Sequence, residues 1–408
     1  MDVTRRWQGK LPCFFDCKSY ALLLILSITG WLVNKGLKGD HLPKTDETRV
    51  TGGQLFKSGT KVFPRFSLHT VSGYGQSHRP HPAFRILGVL LLTVISLCSC
   101  SKGGYSGKME SINFGTVPTA ANTLVYISQD QHFFTTNGLS VNIKDYATGV
   151  ATTDALLKGD MDIAWVAEFP FVRRAFAKEK ISIIAVAGRF DEQHLFGRID
   201  RGIKTVDSLR GKKIGIPRNT IAEFYLGRFL ELHGMNIREV SLVDVPPPQS
   251  MDAITRGGID GIIAWEPYSS QIRVKLADKT VALPIQSGQP GYGAVTGRND
   301  WIKGQPGIVN RFLRSLAQAE DYLTRNPAAA KAILRRRLNY DDAFTETIWS
   351  ENQFSLSLDQ SLITAMEDEA RWMIKNRLTS EKTVPNFLDY IYEDGLKAVK
   401  PEAVNIIR

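Results

Sequence analysis

Asp207-Ser-Leu-Arg-Gly-Lys-Lys-Ile-Gly-Ile-Pro217, Glu239-Val-Ser-Leu-Val-Asp-Val245 and Ile259-Asp-Gly-Ile-Ile-Ala264 are three short runs rich in β-branched residues. Each is followed by an amphipathic stretch of helical period, at 220–233, 249–256 and 268–275. Strands separated by single helices are βαβ units, so this stretch predicts a mainly parallel sheet covered by helices.

The same beat runs upstream. Strands are expected at 111–117, 139–146, 162–166 and 181–186, and helices at 122–137, 152–158 and 171–180. After Ala294-Val-Thr296 the pattern turns to helices alone, at 308–325, 327–338, 341–351, 358–376 and 384–392. There Val309, Phe312, Leu313 and Leu316 form one apolar stripe. The fold class read from this is α/β, with two Rossmann-like lobes around a ligand cleft and extra C-terminal helices. Lobe 1 is expected to comprise 110–200 plus 290–390, lobe 2 to comprise 202–288, and 391–408 to form a tail.

Charge is unevenly distributed. The 408 residues carry 51 Lys and Arg against 41 Asp and Glu. Residues 1–100 hold 13 of the basic and 5 of the acidic residues, leaving a nearly neutral 38 against 36 for 101–408. The body therefore offers no electrostatic reason to bind nucleic acid. Arg173-Arg174 and Arg335-Arg-Arg337 lack interleaved aromatics and read as solvated helix faces. All four Cys (13, 17, 98 and 100) precede residue 101, and His132, His194 and His233 are scattered. Thiol catalysis and Cys-type zinc or iron–sulfur sites are thereby excluded from the body, and neither metal nor cofactor is expected.

Ala83-Phe-Arg-Ile-Leu-Gly-Val-Leu-Leu-Leu-Thr-Val-Ile-Ser-Leu-Cys-Ser-Cys100 has a basic lead-in and an apolar run short for a membrane span, the form of a secretory signal. Its end, Leu97-Cys-Ser-Cys100, resembles a bacterial lipobox, which makes Cys100 the expected lipidated residue and 101–109 a tether from membrane to domain. Residues 1–82 are expected to be a mis-assigned start or a disordered extension, with an additional anchor at 20–33 as the alternative.

Residues 207–237 and Ala253-Ile-Thr-Arg-Gly-Gly-Ile-Asp-Gly-Ile-Ile-Ala-Trp-Glu-Pro-Tyr268 resemble the nitrate, sulfonate, taurine and bicarbonate group of ABC-importer solute-binding proteins. Ala155-Leu-Leu-Lys-Gly-Asp-Met-Asp-Ile-Ala164 is similar to that group's first-lobe counterpart. The resemblance spans most of 110–390. It implies the type II periplasmic-binding fold, a monomer lipid-anchored at the periplasmic or cell-surface side, a small solute, and permease and ATPase partners.

Independently of the resemblance, ligands of open parallel sheets sit beyond the strand C-termini, against helix N-termini with unpaired N–H donors. The strand-to-helix turns here nominate Thr119, Asn122, Val150, Ala151, Glu168, Thr220, Trp265 and Glu266 as ligand contacts. Glu223 belongs to the capping box Thr220-Ile-Ala-Glu223 and is read as satisfying the helix start, while Trp165 is read as core. Two carboxylates at a cleft repel a simple anion, so Glu168 and Glu266 point instead to an amine or a heterocyclic N–H. Arg189, His194 and Arg218 are possible counter-charges. Nitrate, sulfonate or taurine is the first reading of the solute. The alternative is a thiamine-precursor pyrimidine or other aromatic, which Tyr146, Trp265, Tyr268 and Glu168 would suit. A hydroxymethylpyrimidine-synthase-like enzyme is the remaining rival, disfavoured because that enzyme relies on a Cys-rich motif and this body has no Cys.

Overall fold

The computed structural model describes residues 105–286 and 288–408. The signal, the lipobox with Cys100 and the start of the tether lie outside the described residues. Among those described, no helix is long and apolar enough to cross a membrane.

Two sheets carry the fold. The first contains β1 (Glu110–Thr116), β2 (Leu139–Asp145), β3 (Ile163–Ala167), β4 (Ile181–Phe190), β10 (Gly291–Arg298) and the short β11 (Asn352–Gln353), in the order β11-β4-β10-β3-β1-β2. The second contains β5 (His194–Arg198), β6 (Lys213–Ile216), β7 (Ser241–Asp244), β8 (Gly261–Ala264) and β9 (Thr280–Pro284), in the order β7-β6-β8-β5-β9. In each sheet three adjacent strands pair in parallel, and the strand inserted beside them runs antiparallel to both its neighbours. That strand is β10 in the first sheet and β5 in the second. Each belongs to the sheet it joins only because the chain crosses over, β4 running into β5 and β9 returning as β10.

Helices α1 (Thr123–Asp130), α2 (Gly149–Lys158) and α3 (Glu168–Phe176) serve the first sheet, and α4 (Ile221–Leu232), α5 (Ser250–Arg256) and α6 (Tyr268–Leu276) the second. Then come α7 (Pro306–Arg325), α8 (Pro327–Leu338), α9 (Asp342–Ser350), α10 (Gln360–Lys375) and α11 (Asp394–Val399). The stripe foreseen on α7 is buried, with Val309, Phe312, Leu313 and Leu316 all fully enclosed. Phe312 lies 5.6 Å from Phe114 of β1 and 5.4 Å from Phe134, ring to ring, so α7 closes the core of the first sheet.

Several sequence expectations change. The crossover into the second sheet comes at 191–193, so 194–198 pairs with β8 and β9 and is not part of the first sheet. Neither β5, β9 nor β10 was foreseen: their register depends on partners about 66 to 130 residues away, which local periodicity does not reveal. The single helix expected over 122–137 is broken by the left-handed His132, and that over 384–392 is a 3-10 turn, Phe387–Tyr390, close after Pro385. Residues 391–408 are not a loose tail. They form α11 and β13 (Val404–Asn405), which pairs with β12 (Leu358–Asp359), and Arg408 Nε donates to Glu393 Oε1 at 2.8 Å.

Candidate functional site

The two crossovers run side by side and are stitched by one side chain. Gln286 accepts from the Gln193 amide (2.8 Å) and donates to the carbonyls of Phe190 and Gln289 (both 3.0 Å). Around this stitch opens a cleft of about 450 Å3, counted out to its open mouth. The first sheet's turns supply Val117, Thr119, Gly149, Trp165, Ala167 and Pro170, the crossover supplies Phe190, Glu192 and Gln193, and the second sheet's turns supply Thr220, Ile221 and Trp265. All five turn regions follow strand C-termini, where ligands gather in open parallel sheets.

The walls are aromatic: Trp165, Phe190 and Trp265. Two glycines of β10 make room for two of them. A Cβ at Gly293 would stand 2.6 Å from Trp165 Nε1, and one at Gly291 would collide with the Phe190 ring. The Gly291-Tyr-Gly-Ala-Val-Thr-Gly297 run thus fills a steric need of the cleft walls and not a phosphate loop's.

Polar atoms with no partner concentrate here. Buried Thr119 Oγ1, Trp165 Nε1 and Gln193 Oε1 on the cleft wall have none, nor do Tyr126 and Tyr340 hydroxyls or Asn352 Oδ1 around it. Buried polar groups are normally paired, so such a concentration marks where a polar solute or ordered water makes its bonds. Helix starts add donors. Thr148 Oγ1 accepts from the Ala151 amide (3.2 Å), leaving the Gly149 and Val150 amides of α2 without intrahelical acceptors. Thr220 turns its hydroxyl to the Pro217 carbonyl (2.7 Å) and does not cap α4.

Glu192 is the ionisable group of the cleft wall. It is 6% exposed and accepts from Asn352 Nδ2 at 3.2 Å. Burial lifts its pKa to about 7, opposed by that hydrogen bond and reinforced by Glu266 and Glu351. Tyr340, on the turn between α8 and α9, lies within electrostatic range of Glu192, Glu266 and Tyr126; burial raises its pKa. No Lys, Arg or His lines the cleft.

The nominated residues fall into three groups. Thr119, Thr220 and Trp265 are on the wall, and Val150 and Ala151 follow Gly149 at its edge, the Ala151 amide being already used. Asn122 is fully buried, its Nδ2 holding the Val117 carbonyl at 2.9 Å. The two glutamates face elsewhere. Glu168 accepts from the Tyr292 amide (2.9 Å), and burial raises its pKa beside the equally buried Glu369. Glu266 accepts from Ser269 Oγ and from the Ser270 amide (3.2 Å), so it caps its own helix, α6. The capping box expected at Thr220–Glu223 does not form: Thr220 turns away from the helix start, and Glu223 Oε2 accepts from the Asn219 amide, one residue before the cap, at 2.8 Å. The expected counter-charges are occupied too. Arg189 pairs with Asp359, Arg218 with Glu223, and His194 Nδ1 sits 3.1 Å from the Glu192 carbonyl.

Sequence reasoning missed Phe190, Glu192 and Gln193, and assigned Trp165 to the core. The signal lay in Phe190-Asp-Glu-Gln-His194, a polar break after a largely apolar strand. Its meaning depends on the crossover. Among the described residues no cluster of His, Cys, Asp and Glu is arranged to hold a metal ion.

This geometry has known counterparts. A protein of Brucella abortus classed only as a binding protein is 26% identical over 231 residues, 55% of this chain and 70% of its own. The taurine-binding periplasmic protein of Escherichia coli is 25% identical over 210 residues, 51% of this chain and 65% of its own, so the match spans less than two thirds of that relative. The solved alkanesulfonate-binding protein from Xanthomonas axonopodis pv. citri, bound to MOPS, shares the fold with a TM-score of 0.62 at 16% identity, covering 71% of this chain and all of that one. The profile described as NMT1/THI5 like matches residues 120–330, just over half of the 408. The chain belongs to the NMT1/THI5-like family.

Proposed function

We propose that this protein is the extracytoplasmic solute-binding component of an ABC importer, capturing a small solute between its two sheets and delivering it to a permease with its ATPase. The observation that carries this reading is the cleft itself: unpartnered polar atoms and helix-start amides from both sheets converge on one crevice flanked by two crossovers. A solute touching both sides favours the closed arrangement by its differential contacts, and the closed form is what a permease recognises. Binding and release suffice as the activity.

The solute that suits the cleft best is a small aminosulfonate such as taurine. Helix-start amides at 149–150 and 221–222 and the Thr119 hydroxyl donate to the sulfonate, and Glu192 accepts from the amine. The taurine- and sulfonate-binding relatives support this reading. A second reading is favoured by Trp165, Phe190 and Trp265: a planar aromatic stacks among them, and a ring N–H donates to Glu192. Thermal-shift titration separates the two. At 100 times its dissociation constant the true solute adds about 2.7 kcal/mol of stability. Taurine and alkanesulfonates stabilise under the first reading and aminopyrimidines under the second; a panel in which none stabilises the chain defeats both.

Cys100 is proposed as the lipid attachment site, holding a monomer at the membrane. Cys100→Ala is expected to abolish palmitate incorporation and Cys98→Ala to leave it intact. Retained labelling in Cys100→Ala removes the anchor from this account.

A further inference from the structure

Behind the turn that presents Thr220 and Ile221 to the cleft lies a second groove, about 620 Å3 out to its mouth. Its floor is apolar, formed by Ile237, Val240, Leu242 and Leu378, with Trp372 of α10 as one wall. Arg218 and Arg238 stand over that floor.

The charges around it do not balance. Glu223 is the groove's carboxylate, and it is already engaged by Arg218 Nη2 (2.9 Å) and the Asn219 amide. Arg238 is exposed and makes no ion pair among the described residues. Arg173, half-buried on α3, also faces Glu223 and Arg218 without an ion pair of its own among the described residues. The groove's own lining thus carries two guanidiniums and one carboxylate. Two buried donors are also unspent: Arg218 Nε and the Nε1 of Trp372, a residue 3% exposed, have no acceptor. Unpaired buried donors beside excess positive charge are best met by an anionic acceptor, and guanidinium is the group best shaped to take an oxyanion bidentately. The apolar floor requires the rest of the ligand to be hydrocarbon.

We propose that this rear groove is a second binding site, distinct from the cleft, for a small organic anion with an apolar body: a carboxylate or sulfonate carrying an aliphatic chain. The oxyanion lies against Arg238 and the free Nε of Arg218, and the chain lies on Ile237, Val240 and Leu242. The identity of the cleft's solute does not enter this argument.

The test is calorimetric titration of the full chain with hexanoate, alongside acetate, which lacks the chain, and 1-hexanol, which lacks the charge. Hexanoate is expected to bind at least tenfold more tightly than either. Arg238→Gln, at an exposed position whose loss leaves the fold intact, is expected to weaken hexanoate binding at least tenfold with an unchanged melting temperature. Hexanoate failing to bind, hexanol binding as well as hexanoate, or Arg238→Gln binding hexanoate like the parent would each overturn the proposal, the last by placing the fatty anion elsewhere. Vesicles carrying an anionic lipid, run in parallel, distinguish the source: flotation with vesicles that Arg238→Gln loses assigns the same chemistry to a membrane lipid, and its absence to a soluble acid.

Discussion

In the proposed function, Glu192 is a residue that trades stability for binding. Its carboxyl is buried without a cation, and its pKa in the fold, about 7, lies above the 4.5 of the free side chain. A group raised on folding contributes fully below its unfolded pKa, and that contribution is lost as pH rises through the folded one. Stability attributable to Glu192 therefore falls between about pH 4.5 and 7 and is flat above. The displacement corresponds to ~3 kcal/mol at most. Glu192→Gln is expected to raise stability above pH 7 by up to that amount, with little change at pH 4, as read by denaturant melts across pH. The same substitution is expected to weaken solute binding roughly tenfold, because an amide no longer offers a charged acceptor. A variant that is both more stable at pH 8 and equally avid would remove Glu192 from the site.

At the scale of elements, the antiparallel strand β10 sets the cleft's dimensions. Gly293→Ala places a methyl 2.6 Å from Trp165 Nε1, so the indole must move into the cleft or the strand must bow. Overpacking of this kind costs about 1–3 kcal/mol. The expected result is a lowered melting temperature together with an altered solute affinity; a drop in stability with affinity untouched would show that Trp165 is only core. Helix α10 has a different task. Trp372 meets Phe169 of α3 at 6.0 Å and Phe224 of α4 at 5.6 Å, ring to ring, so one C-terminal helix packs on helices that serve both sheets. Trp372→Ala removes that shared contact and is expected to cost about 3–5 kcal/mol in chemical denaturation. A loss below 1 kcal/mol would mean that the helix is a passive cover.

For the whole molecule, what was legible in the sequence and what was not divide along physical lines. The βαβ beat from 111 to 276, the helical C-terminal third and the buried stripe of α7 follow from local periodicity, because side-chain spacing of 2 or 3.6 residues is a property of short segments. Turns after strand C-termini were legible as the cleft's edge for the same reason, and the places of Thr119, Thr220 and Trp265 on its wall came with them. That Glu223 bonds close to its own helix start was legible because such contact is between near neighbours in sequence, but the capping box itself does not form. Contacts across the crossovers were not legible. Whether Glu168 faces solute or the amide of Tyr292, 124 residues away, depends on where β10 threads into the first sheet. Whether Glu192 lies in a loop or in a cleft wall depends on Asn352, 160 residues away, and on the second sheet folding over it. The sequence alone determined the alternation of strands and helices and the strand ends from which the cleft's turns run. Tertiary structure decided which carboxylate lies on the cleft wall, because the burial that raises a pKa and leaves a polar atom unpaired comes from partners distant along the chain.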